Sequence, residues 1–308
     1  MDHTILLEPL IIPDISASFL LSDLFQLSSS LENTIDWFKH YGLLPRGVQC
    51  RCGSIMYVGT FTDSKDNKKW RCRACKTTCS LRYESFFNGS NLSLSSLMQF
   101  LYFWSEDIQS HAFLEKQLQW SPNTVVNWKN FMRDVCIEDL IINQEPIGGP
   151  GTVVEIDESK FGRRKYNRGR LLTGQWVFGI YEQGTDNVLM IPVPDCSGAT
   201  LLPIIQRYAL PGTTIHSDEW AAYNVVPAAG YDHHTVNHSE NFVDPINGTH
   251  TQGIENAWGV VKKRQRRGQT TNPELLESHL IESCWRRKNK GNILNSIVKC
   301  IRELYPVV

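Results

Sequence analysis

No apolar run in these 308 residues is long enough to cross a bilayer, which takes about twenty apolar residues, so no membrane partner is expected. Net charge is also nearly absent, with 31 Lys and Arg against 32 Asp and Glu. That balance excludes a uniformly basic surface, and any grip on a polyanion has to be local. The apolar N-terminus, Thr4 to Leu27, lacks the basic flank of a signal peptide and contains Glu8, Pro9, Pro13, Asp14 and Asp23. An even spread of paired cysteines is missing as well: there are nine, and five crowd between residues 50 and 79. This argues against a secreted disulfide framework and for a metal site plus scattered buried thiols, in a soluble protein of a reducing compartment.

What is present divides the chain. Its length predicts about two domains with a substantial core. Residues 1–44 read as a helical N-terminal extension, with fragments Phe19 to Leu27 and Ser30 to Tyr41. Residues 45–88 hold Cys50, Cys52, Cys72 and Cys75, and two short strand patterns flank the polar turn Asp63 to Lys68. Two thiolate pairs at strand ends can close a tetrahedral Zn2+ site, so the segment reads as a zinc ribbon. One residue separates the first pair where two are usual, which leaves Cys79 as an alternative ligand. Nine basic residues against two acidic ones between 46 and 82 favour a nucleic-acid-facing role.

Residues 89–143 are helical, with apolar stripes through Leu94, Leu97, Met98, Leu101 and Trp104, then Phe113, Leu114 and Leu118. Ser121 followed by Pro122 starts a further helix, so the parts of a helix-turn-helix are in place. Asn123, Thr124, Asn127 and Lys129 are its outward candidates for DNA contact, although a plain helical bundle fits the same pattern. Residues 144–151, rich in Gly and Pro, form a linker.

Beyond the linker the periodicity changes. Thr152 to Ser159 alternates as a strand, with Val154 and Ile156 on one face and Glu155 and Asp157 on the other. Two more strands, a short helix, a fourth strand ending at Ser217-Asp218 and a further helix follow. This order predicts a multidomain α/β chain whose residues 152–290 form an RNase H-like domain, with a C-terminal helix in 291–308. In that architecture Asp157 and Asp218 lie side by side, and a late helix carrying Glu255 crosses the same edge. Glu158 is expected to point to the opposite face from Asp157.

The late helix runs from Thr249 to Arg267. Thr249 with Gln252 fits a capping box, and Ile254, Ala257, Trp258 and Val261 recur at helical spacing, with Trp258 expected in the core. Glu255 falls at the edge of that stripe, in line with Lys262 and Arg266. Three convergent carboxylates can hold two divalent ions while leaving positions for phosphate and water. Lys160, Arg163, Arg164, Lys165, Arg168 and Arg170, with Lys262, Lys263 and Arg266, are the expected DNA contacts around them. Of the histidines between Asp218 and Glu255, His238 and His250 are candidates for an active-site role, against the more ordinary surface or core placement.

Four ordered motifs, Val154-Glu-Ile-Asp-Glu-Ser, Phe161-Gly-Arg-Arg-Lys-Tyr-Asn-Arg-Gly-Arg, His216-Ser-Asp-Glu-Trp-Ala-Ala-Tyr and His250-Thr-Gln-Gly-Ile-Glu-Asn-Ala-Trp, resemble the DDE transposases of the Merlin superfamily and its ISXO2-like bacterial insertion-sequence relatives. The resemblance spans roughly residues 45–290 and places the family's catalytic carboxylates on Asp157, Asp218 and Glu255. It implies binding of terminal inverted repeats, cleavage of element ends and strand transfer into target DNA with Mg2+ or Mn2+. Zn2+ is expected as a structural ion. The implied partner is double-stranded DNA, met by a homodimer or higher oligomer. The nucleus of a eukaryote, or the cytoplasm and nucleoid of a bacterium, is the expected location. Two alternatives share these features: a host-recruited DNA-binding protein without transposition, and an RNase H-like nuclease without strand transfer. A pure binder gains nothing from converging carboxylates, and a bare nuclease does not explain the ribbon.

Overall fold

The computed structural model describes residues 12–162, 174–237, 243–245, 248–264 and 275–307. The chain divides into two units, one of residues 1–131 with 291–308 and the other of residues 132–290.

In the first unit, α1 (Leu21–Ser28) and α2 (Leu31–His40) pack with α3 (Leu94–Ser105), burying Leu24, Leu27, Trp37 and Phe38. Helices α1 and α2 of the N-terminal segment therefore contribute to a helical core with α3. The last helix, α9 (Ile293–Leu304), also packs on α3. Between α2 and α3 in the chain lies a small antiparallel sheet of β1 (Met56–Thr60), β2 (Lys68–Cys72) and β3 (Thr78–Ser80), one strand more than the sequence pattern predicts. A buried ion pair ties the turn between β1 and β2 to the chain beyond β3: Arg82 donates to both Asp66 oxygens, at 2.7 and 2.6 Å, and also to the Leu92 carbonyl.

Helix α4 (His111–Leu118) ends in left-handed Gln119, and α5 (Pro122–Asn143) begins where the Ser121 hydroxyl accepts from the Thr124 amide at 3.2 Å. Asn123 and Asn127 are exposed and Thr124 is half-buried. Lys129, expected to face outward, is instead buried, and its ammonium donates to the Gln109 carbonyl at 3.1 Å. The loop ahead of α4 offers that carbonyl as an acceptor, so the long side chain folds inward to meet it.

The second unit is built on a five-stranded sheet of β4 (Val153–Phe161), β5 (Gln175–Glu182), β6 (Val188–Val193), β7 (Thr214–Asp218) and β8 (Asp232–Val236), in spatial order β6-β5-β4-β7-β8. The first three strands form an antiparallel meander, while β7 and β8 run parallel to β4. That order, 3-2-1-4-5 with α6 (Gly198–Tyr208) between the third and fourth strands, is the RNase H-like arrangement expected from the sequence. Strand β8 occupies a segment, with His233 and His234, that reads from sequence as a loop. The residues after Asp218 form two short 3-10 turns, Ala221–Val225 and Pro227–Ala229, where a longer helix was expected.

Side chains alternate across the sheet, so each face carries its own core. One face joins Val154, Ile156, Phe178, Ile180 and Ile215 to Leu201 and Ile205 of α6. The other joins Phe161, Val177 and Met190 to Ile254, Ala257, Trp258 and Val261 of α7 (Gln252–Arg264) and to Leu280 and Cys284 of α8 (Leu276–Lys288).

Candidate active site and metal centre

The pairing of β4 with β7 sets the site. Val153, Val154 and Glu155 lie opposite Thr214, Ile215 and His216, and the same register continued by two residues puts Asp157 beside Asp218. Paired parallel strands stand about 4.8 Å apart, so this continuation sets the two carboxylates on one face just past the last paired residues, Glu155 and His216. On the other side of Asp157 the register partner is Gly179. Behind this row lies another, Tyr181, Glu155, His216 and His234, on the same face.

Helix α7 covers both rows and is bonded to β4 at three successive same-face positions. The Ile254 amide donates to Glu155 Oε2 at 2.8 Å, the Trp258 indole donates to Asp157 Oδ2 at 2.9 Å, and the Lys262 ammonium donates to the Ser159 hydroxyl. Two strand residues rise about 6.7 Å and four helix residues about 6.0 Å, so the spacings of the two elements match and the helix runs along the strand. Glycine makes the approach close enough. A Cβ on Gly179 would stand 2.5 Å from the Trp258 ring, and one on Gly253 would stand 2.0 Å from the Tyr181 ring.

Glu255 is exposed in the first turn of α7, where the Thr251 hydroxyl donates to its Oε1 at 3.2 Å. The capping box expected from Thr249 and Gln252 is not the observed arrangement. The helix starts at Gln252, Thr249 is buried before it, and the Ile254 amide is capped by Glu155 from 99 residues earlier. Trp258 is a core residue, as expected, and it also bonds the carboxylate of Asp157.

Burial pushes the Asp157 carboxyl up to about 7, and the neighbouring Glu158 and Asp218 carboxylates add to the effect. Glu158 lies on the opposite face, as alternation requires, where the Tyr223 hydroxyl donates to it. It still feels Asp218, and burial foremost raises its pKa. Asp218 Oδ1 accepts from the Trp220 amide at 3.0 Å. Buried His216 is held neutral, its pKa lowered to about 4 by desolvation and by nearby His234 and His250. His250 is partly exposed, with its Nδ1 3.3 Å from Glu155 Oε1. His238 lies outside the described residues, as do Arg163, Arg164, Lys165, Arg168, Arg170 and Arg266.

Of the expected DNA contacts that are described, Lys160 and Lys263 are exposed. The Lys160 ammonium sits 4.9 Å over the Trp176 ring. Lys262 is drawn toward β4 and lies 5.6 Å over the Phe161 ring as well as on Ser159.

In the first unit the Cys50, Cys52, Cys72 and Cys75 sulfurs all lie within 4.8 Å of one another. Among the described residues this is the cluster of three or more such side chains tight enough to close on one ion. Cys50 and Cys75 are 3.4 Å apart and Cys52 and Cys72 3.5 Å, near the roughly 3.8 Å edge of a tetrahedron with Zn–S bonds of about 2.3 Å. Hydrogen bonds with Thr77 foremost lower the Cys75 pKa to about 6, toward the thiolate a metal requires. Cys79, the alternative ligand, is not in the cluster and packs 4.0 Å from the Met56 sulfur.

Residues 142–287 match the ISXO2-like transposase domain. A transposase-like protein of Haemophilus influenzae is 31% identical over 117 residues, covering 36% of this chain and 94% of its relative. The male abnormal protein mab-31 of Caenorhabditis elegans is 22% identical over 306 residues, covering 88% of this chain and 67% of that protein. Among solved structures, the catalytic core of BIV integrase is similar at 17% identity with a TM-score of 0.31, covering 45% of this chain and 84% of that one. A Mos1 pre-cleavage transpososome chain is similar at 10% identity with a TM-score of 0.22, covering 69% and 79%. At these scores the structural likenesses add nothing to the strand order. The transposase-like relative is matched over nearly its whole length, and together with the domain match it shows that the chain belongs to the DDE transposases of the ISXO2-like family.

Proposed function

We infer that the chain is a DNA transposase that binds the terminal inverted repeats of an element, cleaves its ends and joins the freed 3′-hydroxyls to target DNA. Asp157, Asp218 and Glu255 are its catalytic carboxylates. One observation carries the reading: the β4–β7 register, continued two residues past its last pair, brings Asp157 beside Asp218, and burial with the neighbouring Glu158 and Asp218 carboxylates lifts Asp157 to about 7. Crowded, half-buried carboxylates oppose one another's ionisation, and a divalent cation removes that cost. An all-oxygen donor set suits Mg2+ or Mn2+; Glu255, exposed on α7 and not clustered with the two aspartates, would have to close toward them to complete it. Two such ions, when bound, would activate a water or a 3′-hydroxyl and stabilise the departing oxygen of an in-line displacement.

The chain's own contribution is orientation. Trp258 restrains one oxygen of Asp157, and the Trp220 amide restrains one oxygen of Asp218. Exposed Lys160 and Lys263 can meet phosphate beside the site, and exposed Asn123 and Asn127 on α5 can meet DNA in the first unit. Cys50, Cys52, Cys72 and Cys75 would hold a structural Zn2+, without which so small a sheet buries too little apolar surface to be stable. Joining two ends to one target calls for a homodimer or higher oligomer on DNA, in the nucleus of a eukaryote or the nucleoid of a bacterium.

The test is cleavage and strand transfer on DNA carrying the element's ends, in Mg2+ and in Mn2+, for the full chain. Joined products that depend on the metal support the reading. Binding of those ends without cutting would favour a DNA-binding protein that has lost transposition, and cutting without joining would favour a nuclease.

A further inference from the structure

Glu155 lies two residues before Asp157 on the same face of β4 and is 0% exposed. A carboxylate taken fully out of water is costly unless donors meet its charge. Here the Ile254 amide donates to Oε2 at 2.8 Å and the Gln183 side-chain amide donates to Oε1 at 2.9 Å, while His250 Nδ1 stands 3.3 Å from Oε1 without a hydrogen bond. Ile254 is the third residue of α7, and its amide is among those with no acceptor inside the helix. The positive end of the helix favours the anion at that place. Close packing brings the two together, because a Cβ on Gly253 would lie 2.9 Å from Glu155 Oε2 as well as against Tyr181. The residue after Ile254 is Glu255, and one turn further Trp258 bonds Asp157.

The geometry points to Glu155 as a positioning residue for strand transfer: its carboxylate locks the first turn of α7 onto β4 and so sets Glu255 relative to Asp157. It touches neither DNA nor cation itself. This role rests on the assignment of Asp157, Asp218 and Glu255 as the catalytic set. Sequence alone gives Glu155 no partner, since a carboxylate at an alternate strand position reads equally well as a solvated side chain.

The experiment uses the full chain with Glu155→Asp, which keeps the charge but withdraws the acceptor by one methylene, and Glu155→Gln, which keeps the length and an acceptor oxygen. Amide hydrogen exchange over residues 250–262 is measured beside strand-transfer kcat and KM on a pre-cleaved DNA end. In the native chain the Ile254 amide should exchange slowly. Glu155→Asp should speed that exchange at least tenfold while residues 175–182 keep their protection, and should lower kcat by about 10- to 100-fold with KM for DNA within twofold. Glu155→Gln should keep the protection and stay within about tenfold of native kcat. Exchange of the native Ile254 amide at the rate of an open loop would overturn the proposal without any variant. Native exchange and kcat in Glu155→Asp would overturn it too, as would a Gln variant that loses as much kcat as Asp while staying protected. Glu255→Gln, run alongside, should lose kcat with exchange unchanged. Should it stay active, the catalytic assignment of Glu255 fails, and exchange still decides the clamp.

Discussion

Replacing Gly179 by alanine puts a single methyl group where α7 meets β4. The added Cβ would lie 2.5 Å from Trp258 Cζ2 and 2.6 Å from Ile254 Cδ1, both in the buried core of that face. Ordinary contact begins near 3.4 Å, so the helix has to move by roughly 0.9 Å. Ile254 Cδ1 is a side-chain end that can turn aside only within a packed core, whereas the Trp258 ring is rigid and moves only with α7. Overpacking of this kind costs about 1–3 kcal/mol of stability. The larger effect falls on chemistry, because the same shift stretches the 2.9 Å bond from Trp258 to Asp157 and carries Glu255 with it. A displacement near 1 Å at a reacting centre can cost about 100-fold in rate. Urea unfolding gives the first quantity, and single-turnover strand transfer at saturating DNA, well below the melting temperature, gives the second. A Gly179→Ala chain that keeps both native stability and native rate would refute the close packing of α7 on β4 as the source of the site's geometry.

Trp258→Phe removes the indole donor while leaving an aromatic ring in the core, so it should cost about 1–3 kcal/mol and raise the Mn2+ concentration for half-maximal activity about tenfold or more, read by metal titration. Chelating metal from the native chain should expose the sheet of residues 56–80 to proteolysis while the second unit resists; one Zn2+ per chain by elemental analysis, lost in Cys72→Ser and kept in Cys79→Ser, checks the ligand set. Burial alone would raise the Glu282 pKa, but Arg286 and Arg133 outweigh it and hold the carboxyl at about 2, below its ordinary 4.5. Its folded pKa is depressed, so its stabilisation is present above pH 4.5 and disappears as pH falls toward 2, and Glu282→Gln should flatten the urea midpoint over that window.

Local pattern carried much of this architecture. The alternation around Asp157 and the apolar stripe through Ile254, Trp258 and Val261 are one-dimensional signals, and the elements they predict are present. Strand β8 gave no such signal. As an edge strand it pairs on one side only, and Asp232-His-His-Thr-Val has no apolar alternation to announce it. The cap of α7 was beyond reach for a different reason: its acceptor is Glu155, and a bond across 99 residues leaves no trace in local spacing. Lys129 misled because a lysine on a helix ordinarily faces water, and only the fold reveals a carbonyl waiting for it. Cys79 sits within β3 opposite Trp70, outside the cluster that the other four cysteines form, and sequence spacing alone does not reveal that placement.

The proposed reaction requires that the carboxylate beside Asp218 be a metal ligand. Asp157→Cys replaces an oxygen donor by a sulfur that Mg2+ rejects and softer Mn2+ tolerates. Strand transfer by this variant should be lost in Mg2+ and return in Mn2+, with DNA binding unchanged in both. Native activity in Mg2+ would contradict the assignment of Asp157, and with it the site built around it.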